Sequence, residues 1–204
     1  MHTFLLAVVV LCAAPAFAQQ AVSSGESPKP GDVLTNPTFA LWANFAAGTS
    51  VTQKEAVTLA DGTIIESQIT ARLVSKHPDK LTVETTVVPL GATMRAGVVD
   101  ETKTLTTCHS KVKFDNFQTP ESSGYSVSTG TETLDLNGKR IDTEWVEATS
   151  TNSDGSVTEK DWYATDVPGG LVKQTVTKKR GAEMTSQSML ELVDVKAKPE
   201  VKKP

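Results

Sequence analysis

The chain has 204 residues and a formal net charge of −4, a balance that gives nucleic acid no electrostatic reason to bind. It carries two cysteines, too few for a framework of several disulfides. The length suits a single domain with a core of its own.

The elements follow in chain order. "FLLAVVVLCAA" (4–14) is an unbroken apolar stretch, and "AFA" (16–18) supplies the small-x-small pattern of a signal-peptidase site. Residues 1–18 therefore read as a secretory signal peptide, too short to span a bilayer as a helix. The expected location is outside the cytoplasm, periplasmic or extracellular. Cys12 would leave with that peptide, and Cys108 would be the one thiol of the exported chain. Residues 19–35 read as a flexible Ser/Pro/Gly linker, residues 36–195 as one β-rich domain, and residues 196–204 as a disordered basic tail. That tail holds four lysines and one glutamate, leaving 16 basic against 23 acidic residues for the rest, or −7.

"NPTFALWANFAAG" begins the domain. Asn36 suits an N-cap, Pro37 the first helical position, and Gly48 a helix stop. Phe39, Trp42 and Phe45 recur every three residues, so a short amphipathic helix with one aromatic face is predicted. From Thr49 the period becomes two. Ile65, Ile69, Ala71 and Leu73 alternate with polar residues in "TIIESQITARLV", and Leu81, Val83 and Val87 do so in "KLTVETTVV". One dry face and one wet face are the mark of antiparallel strands. Turn signals at 60–62, 77–79, 137–138, 152–155, 168–170 and 180–182 separate the runs, the Asn137-Gly138 pair being the strongest. The fold class expected is mainly β: a curved antiparallel meander forming an open half-barrel, with the helix packed on its concave face. The stretch 108–126 keeps no period and reads as a long loop anchored by Phe114, Phe117 and Tyr125.

In "DWYATDVPGGLVK" (161–173) two adjacent rings precede a Pro-Gly-Gly turn. Neighbouring strand residues point to opposite faces, so one ring should pack toward the helix and the other cover the outside. Trp162, in phase with Ala164, is the ring expected inward.

The pieces "NPxFxxWxxFxxGTSV", "WYxxDVPGGLVK" and "LELVD" resemble a group of uncharacterised secreted bacterial proteins, across about residues 36–195. The helix-plus-curved-sheet plan is similar to the lipoprotein-carrier (LolA/LolB) superfamily, whose half-barrel holds acyl chains beneath a helical lid. That resemblance implies a lipid or other apolar ligand held between sheet and helix, contacted by Phe39, Trp42, Phe45 and Trp162. No carrier-specific motif accompanies it, and fold alone does not confer function.

The chemical inventory is thin. His77 lies in a turn. Cys108 and His109 are adjacent strand residues whose side chains diverge, which suits neither a metal nor a Cys/His nucleophile. No CxxC, HExxH or GxSxG occurs. No catalytic, cofactor or metal residue is assigned, an enzyme ranks last, and no nucleic-acid partner or transmembrane span is expected. A carrier of an apolar ligand and an envelope interaction module without a small ligand are the two classes left. A spacious apolar groove would favour the first, a filled core the second.

Overall fold

The computed structural model describes residues 31–91, 101–113 and 124–198. The expected signal peptide, Phe114 and Phe117 of the expected loop, and residues 199–204 of the tail lie outside these described residues. The architecture is mainly antiparallel β with one short helix, as the alternating pattern requires. Strands β2 (Ser50–Leu59), β3 (Ile64–Lys76), β4 (Lys80–Leu90), β5 (Thr102–His109), β7 (Gly124–Leu136), β8 (Lys139–Asn152), β9 (Gly155–Tyr163), β10 (Leu171–Arg180) and β11 (Glu183–Lys196) form one sheet. Its order is β5-β4-β3-β2-β11-β10-β9-β8-β7, a large curved open sheet. Hairpins account for every neighbour pair except β2 and β11, which close the N-terminal half against the C-terminal half.

Each predicted turn joins two strands. Asn137 and Gly138 take positive φ of 53° and 74°, the backbone that a two-residue hairpin with right-handed twist demands. The Asn152 carboxamide accepts from the backbone N–H groups of Asp154 and Gly155, ordering the turn before β9.

Helix α1 (Pro37–Ala43) starts as its sequence dictates. Asn36 Oδ1 accepts from Thr38 N at 3.0 Å and Phe39 N at 3.4 Å, and Pro37 occupies the first turn. It is shorter than expected: the helix stops at Asn44, and Gly48 belongs instead to the entry of β2, where its N–H donates to Leu73 O at 2.7 Å. The run ends in a tighter local turn, Phe45 N–H donating to Trp42 O at 3.1 Å, before the glycine is reached.

The ends of the expected linker and loop are also strands. β1 (Val33–Thr35) pairs antiparallel with β6 (Lys111–Lys113), so ordered pairing begins before residue 36 and resumes just after His109. Three-residue strands carry too few residues for a period to show in sequence.

Candidate functional site

The helix and the Pro-Gly-Gly turn form one unit. Trp42 is 4% exposed and joins a core with Val51, Ala71, Leu73, Leu81, Val83, Cys108, Val172 and Leu192, against which Phe39 and Phe45 pack. Gly169 and Gly170 have φ of 76° and 77° and lie directly against the helix. A Cβ on Gly169 would come 2.9 Å from Trp42 Nε1, and one on Gly170 would come 2.7 Å from Leu41 Cδ1. The glycines therefore serve two ends at once, the turn geometry and the close approach of the helix. The helix aromatics are brought together as predicted, and the space beneath them is filled by side chains.

Trp162 is not among them. Register runs without a shift through the β8–β9 pair, placing Trp162 opposite Trp145 and, on the other side, opposite Lys173. Opposed residues share a face, and this row continues through Glu191 to Lys54, away from the helix. The expectation that Trp162 points inward is thus corrected. Ala164 lies beyond the end of β9, so strand alternation does not carry to it. Tyr163 is the inward ring.

On the far face the Trp162 indole donates to Glu132 Oε2 at 2.9 Å. Lys160 Nζ sits 4.1 Å from the Trp145 ring centroid and 4.7 Å from that of Trp162. Trp145 in turn folds over Gly130, where a Cβ would meet the ring at 2.6 Å. This stack leaves Trp162 only 7% exposed although it lies outside the main core. Trp162→Ala is expected to cost about 2–4 kcal/mol in a urea melt, through lost burial and the lost cation–π contacts of Lys160 and, at 5.6 Å, Lys173 with this ring. It should leave apolar-probe binding on the helix side unchanged; loss of binding in that variant would return the ring to the site.

The helix-side face is best read as rows of opposed residues. Nearest the helix run Val195, Val51 and Ala71. Two rows further, Val146, Asp161, Gln174, Leu190, Glu55 and Ser67 cross five neighbouring hairpin and closure pairs. The next row is Val127, Ala148, Glu159, Val176, Ser188, Val57 and Ile65. The last contains Tyr125, Ser150, Val157, Lys178, Ser186 and Leu59. Helix α1 packs against β4 and β5 and the turn before β10, at the opposite end of these strands. Tyr125, Val127 and Val157 are left 52%, 37% and 38% exposed. These two rows of the curved sheet, the trough, set valine, isoleucine, leucine, alanine and tyrosine beside Glu159, Lys178 and three serines, and the helix does not reach them.

A polar tract separates trough from core. Asp161 is 1% exposed. Gln174 Nε2 donates to Glu159 Oε1 at 2.8 Å and to Asp161 Oδ1 at 2.9 Å, and the Tyr163 hydroxyl donates to Asp161 Oδ2 at 3.0 Å. Gln53, also buried, donates to the carbonyl of Leu171 at 2.8 Å. Burial first, then the neighbouring Glu159 charge, pushes the Asp161 carboxyl up to about 6. Burial likewise raises Glu159 and, with the Asp161 charge adding to it, the Tyr163 phenol.

Tyr163 also borders a cavity of about 740 Å³ between Leu41 of the helix and the β7–β8 hairpin. Thr131, Thr133, Asp142 and Glu144 line its hairpin side. Alternate residues of the same hairpin, Leu134, Leu136 and Ile141, pack on the core, and Asn137 Nδ2 donates to Leu192 O at 3.3 Å across the fold. The cavity next to the helix therefore has a mixed wall, threonines and carboxylates of the hairpin facing Leu41, Tyr163 and Ala164.

Of the other sequence candidates, Cys108 is buried in the core while His109 and His77 are exposed. Among the described residues no cluster of three or more His, Cys, Asp or Glu could hold a metal, and no helix is long and apolar enough to cross a membrane. Asp161, Glu159, Gln174 and the trough residues are absent from the candidates drawn from sequence. The alternation in β9 displays them, but only the register shows that they share one face.

No protein-family model matches the chain, and no curated protein sequence matches it significantly. Among solved structures it is similar to a protein with a YmcC-like fold from Bacteroides fragilis, at 15% identity and a TM-score of 0.41, covering 74% of this chain and 97% of that one. It is similar also to a DUF1329 family protein from Desulfovibrio piger, at 10% identity and a TM-score of 0.26, covering 82% and 92%. A third similarity is to a LolA superfamily protein from Nitrosomonas europaea, at 10% identity and a TM-score of 0.23, covering 81% and 94%.

Proposed function

We propose that this is an exported cell-envelope protein that holds an apolar ligand, such as a lipid chain, on the uncovered rows of its helix-side face. Export is supported by the apolar run 4–14 followed by "AFA". The observation that carries ligand binding is the trough itself: two adjacent rows with Val127, Ala148, Val176, Val57, Ile65, Tyr125, Val157 and Leu59 on one face, Tyr125, Val127 and Val157 exposed, interrupted by Glu159, Lys178 and three serines. Burying such a surface is favourable by about 25 cal/mol per Å² of apolar area. In this reading Phe39, Trp42 and Phe45 hold the helix on the core and stand outside the site, and Trp162 braces the sheet from behind.

The test joins two measurements. Native mass spectrometry of protein taken from its own envelope fraction should show a co-purified small apolar molecule. N-phenyl-1-naphthylamine, an uncharged fluorescent probe, should bind the wild type and bind Val176→Asp on the order of tenfold more weakly, because a charge is placed where the chain must lie. Clean apo mass together with equal probe binding by the variant would remove the trough as a site. A second reading, an interaction module with a polar partner, is favoured by the threonines and carboxylates on the hairpin wall of the cavity beside Leu41. In that case the probe would not bind, and Glu144→Lys rather than Val176→Asp would abolish capture of the partner.

A further inference from the structure

We propose that Glu159 and Asp161 couple binding in this trough to proton uptake, so that an uncharged apolar chain is held more tightly in mild acid than at neutral pH. The inference rests on the reading that the trough binds a ligand, and adds how that binding is regulated.

The geometry places a carboxyl group in the middle of an apolar row. Glu159 stands directly between Ala148 and Val176, with Val127, Ser188, Val57 and Ile65 continuing the row on either side. A chain laid along the row strips water from Glu159. Asp161, one row toward the helix, is already buried between Val146 and Gln174. Among the described residues, one amide group, Gln174 Nε2, serves both carboxyl groups, and a second donor, the Tyr163 hydroxyl, reaches Asp161 alone.

Among the described residues one cation, Lys178, lies on this face near the pair, and it is paired with neither acid. On β9 itself the facing titratable group is Tyr163. From β8 comes Glu144, opposite Tyr163; from β10, Lys178, one row beyond Val176; from β2, Glu55; from β11, only Leu190 and Ser188 face the pair. Lys178 is exposed and forms no ion pair with Glu159 among the described residues. Lys160 and Lys173 project from the far face with the tryptophans, and helix α1 has no charged residue. A carboxylate that loses water with no paired cation to replace it is penalised far more than a neutral acid in the same place. The chain-bound state therefore prefers both acids protonated. Even without a chain, burial raises both groups, and at Asp161 the Glu159 charge adds to it and brings the carboxyl to about 6, so that acid takes up its proton in mildly acidic solution. The same carboxyls disfavour an anionic amphiphile, which makes an uncharged chain the occupant.

The experiment is a fluorescence titration with N-phenyl-1-naphthylamine on the full folded protein. Between about pH 7.5 and about pH 5.5 the wild-type affinity should rise on the order of tenfold, following the fraction of protein with both acids protonated. The Glu159→Gln/Asp161→Asn double variant should bind at the upper pH as tightly as wild type does at the lower, with a flat profile. Retention of the wild-type profile by the double variant, or a flat profile in the wild type, overturns the coupling while leaving the trough as a site. Absence of probe binding by both proteins at every pH overturns the coupling and the trough together. Should the double variant not fold, Glu159→Gln alone is held to the same criterion.

Discussion

Trp42→Ala is expected to lower the unfolding free energy by about 3–5 kcal/mol, the largest loss of any single side chain on the helix. The ring is almost wholly buried, and it is the piece of α1 that reaches both the sheet core and the Pro-Gly-Gly turn. Truncation leaves a void in the same core cluster as Leu73 and Leu81, both without measurable exposure, so little relaxation can fill it. Gly169→Ala should cost about 1–3 kcal/mol, since the new Cβ needs a positive φ and also strikes the indole. The two losses share a contact. Urea melts of the double variant should therefore fall short of the sum by at least about 0.5 kcal/mol. Strict additivity would mean that ring and turn do not meet.

Asp161→Asn is expected to act in the opposite sense and stabilise the protein at neutral pH. The native carboxyl titrates at about 6 because it is buried and sits beside Glu159, whereas an unfolded-state aspartate titrates near its ordinary 3.8. Between those two values the native state binds more protons than the unfolded state, so stability falls as pH rises through this window. Above about pH 6 the full penalty is present, on the order of 2–3 kcal/mol at 1.36 kcal/mol per pKa unit. The asparagine keeps an oxygen for Gln174 and offers Tyr163 an amide, so the hydrogen bonds survive while the charge does not. Denaturation followed from about pH 4 to about pH 7 should show wild type losing stability as pH rises and the variant losing much less. A variant no more stable than wild type at neutral pH, with an unchanged slope, would contradict the assignment of the buried charge. The same acid serves structure poorly at pH 7, which is the sort of local cost that functional positions carry.

Much of the architecture was legible one element at a time. The Asn36-Pro37 start of the helix is satisfied by its own side chain within three residues, and the Asn137-Gly138 turn by its own dihedrals. Leu73, Leu81 and Val83 declare their burial through a period of two, which needs no partner to be read. The faces of Ile141 and Trp145 against Val146 and Ala148 follow from the same count, and the register agrees.

What local pattern determined, then, was the kind of element, its turns and which residues of one strand share a side: a mainly antiparallel β chain with one capped helix. What the tertiary structure decided was which side faces what. Trp162 and Tyr163 must diverge in any strand, but whether the tryptophan meets Trp42 or Lys160 depends on how β9 is registered to β8 and β10, including the shift between Leu171 and Lys173. The place of Gly48 at the entry of β2 was decided by its bond to Leu73, and the β2–β11 closure by residues more than a hundred positions apart. The trough and its two acids arise from seven strands contributing one residue each to a row. Periodicity speaks within a strand; register is a relation between strands, set by hydrogen bonds and core packing that no single segment contains.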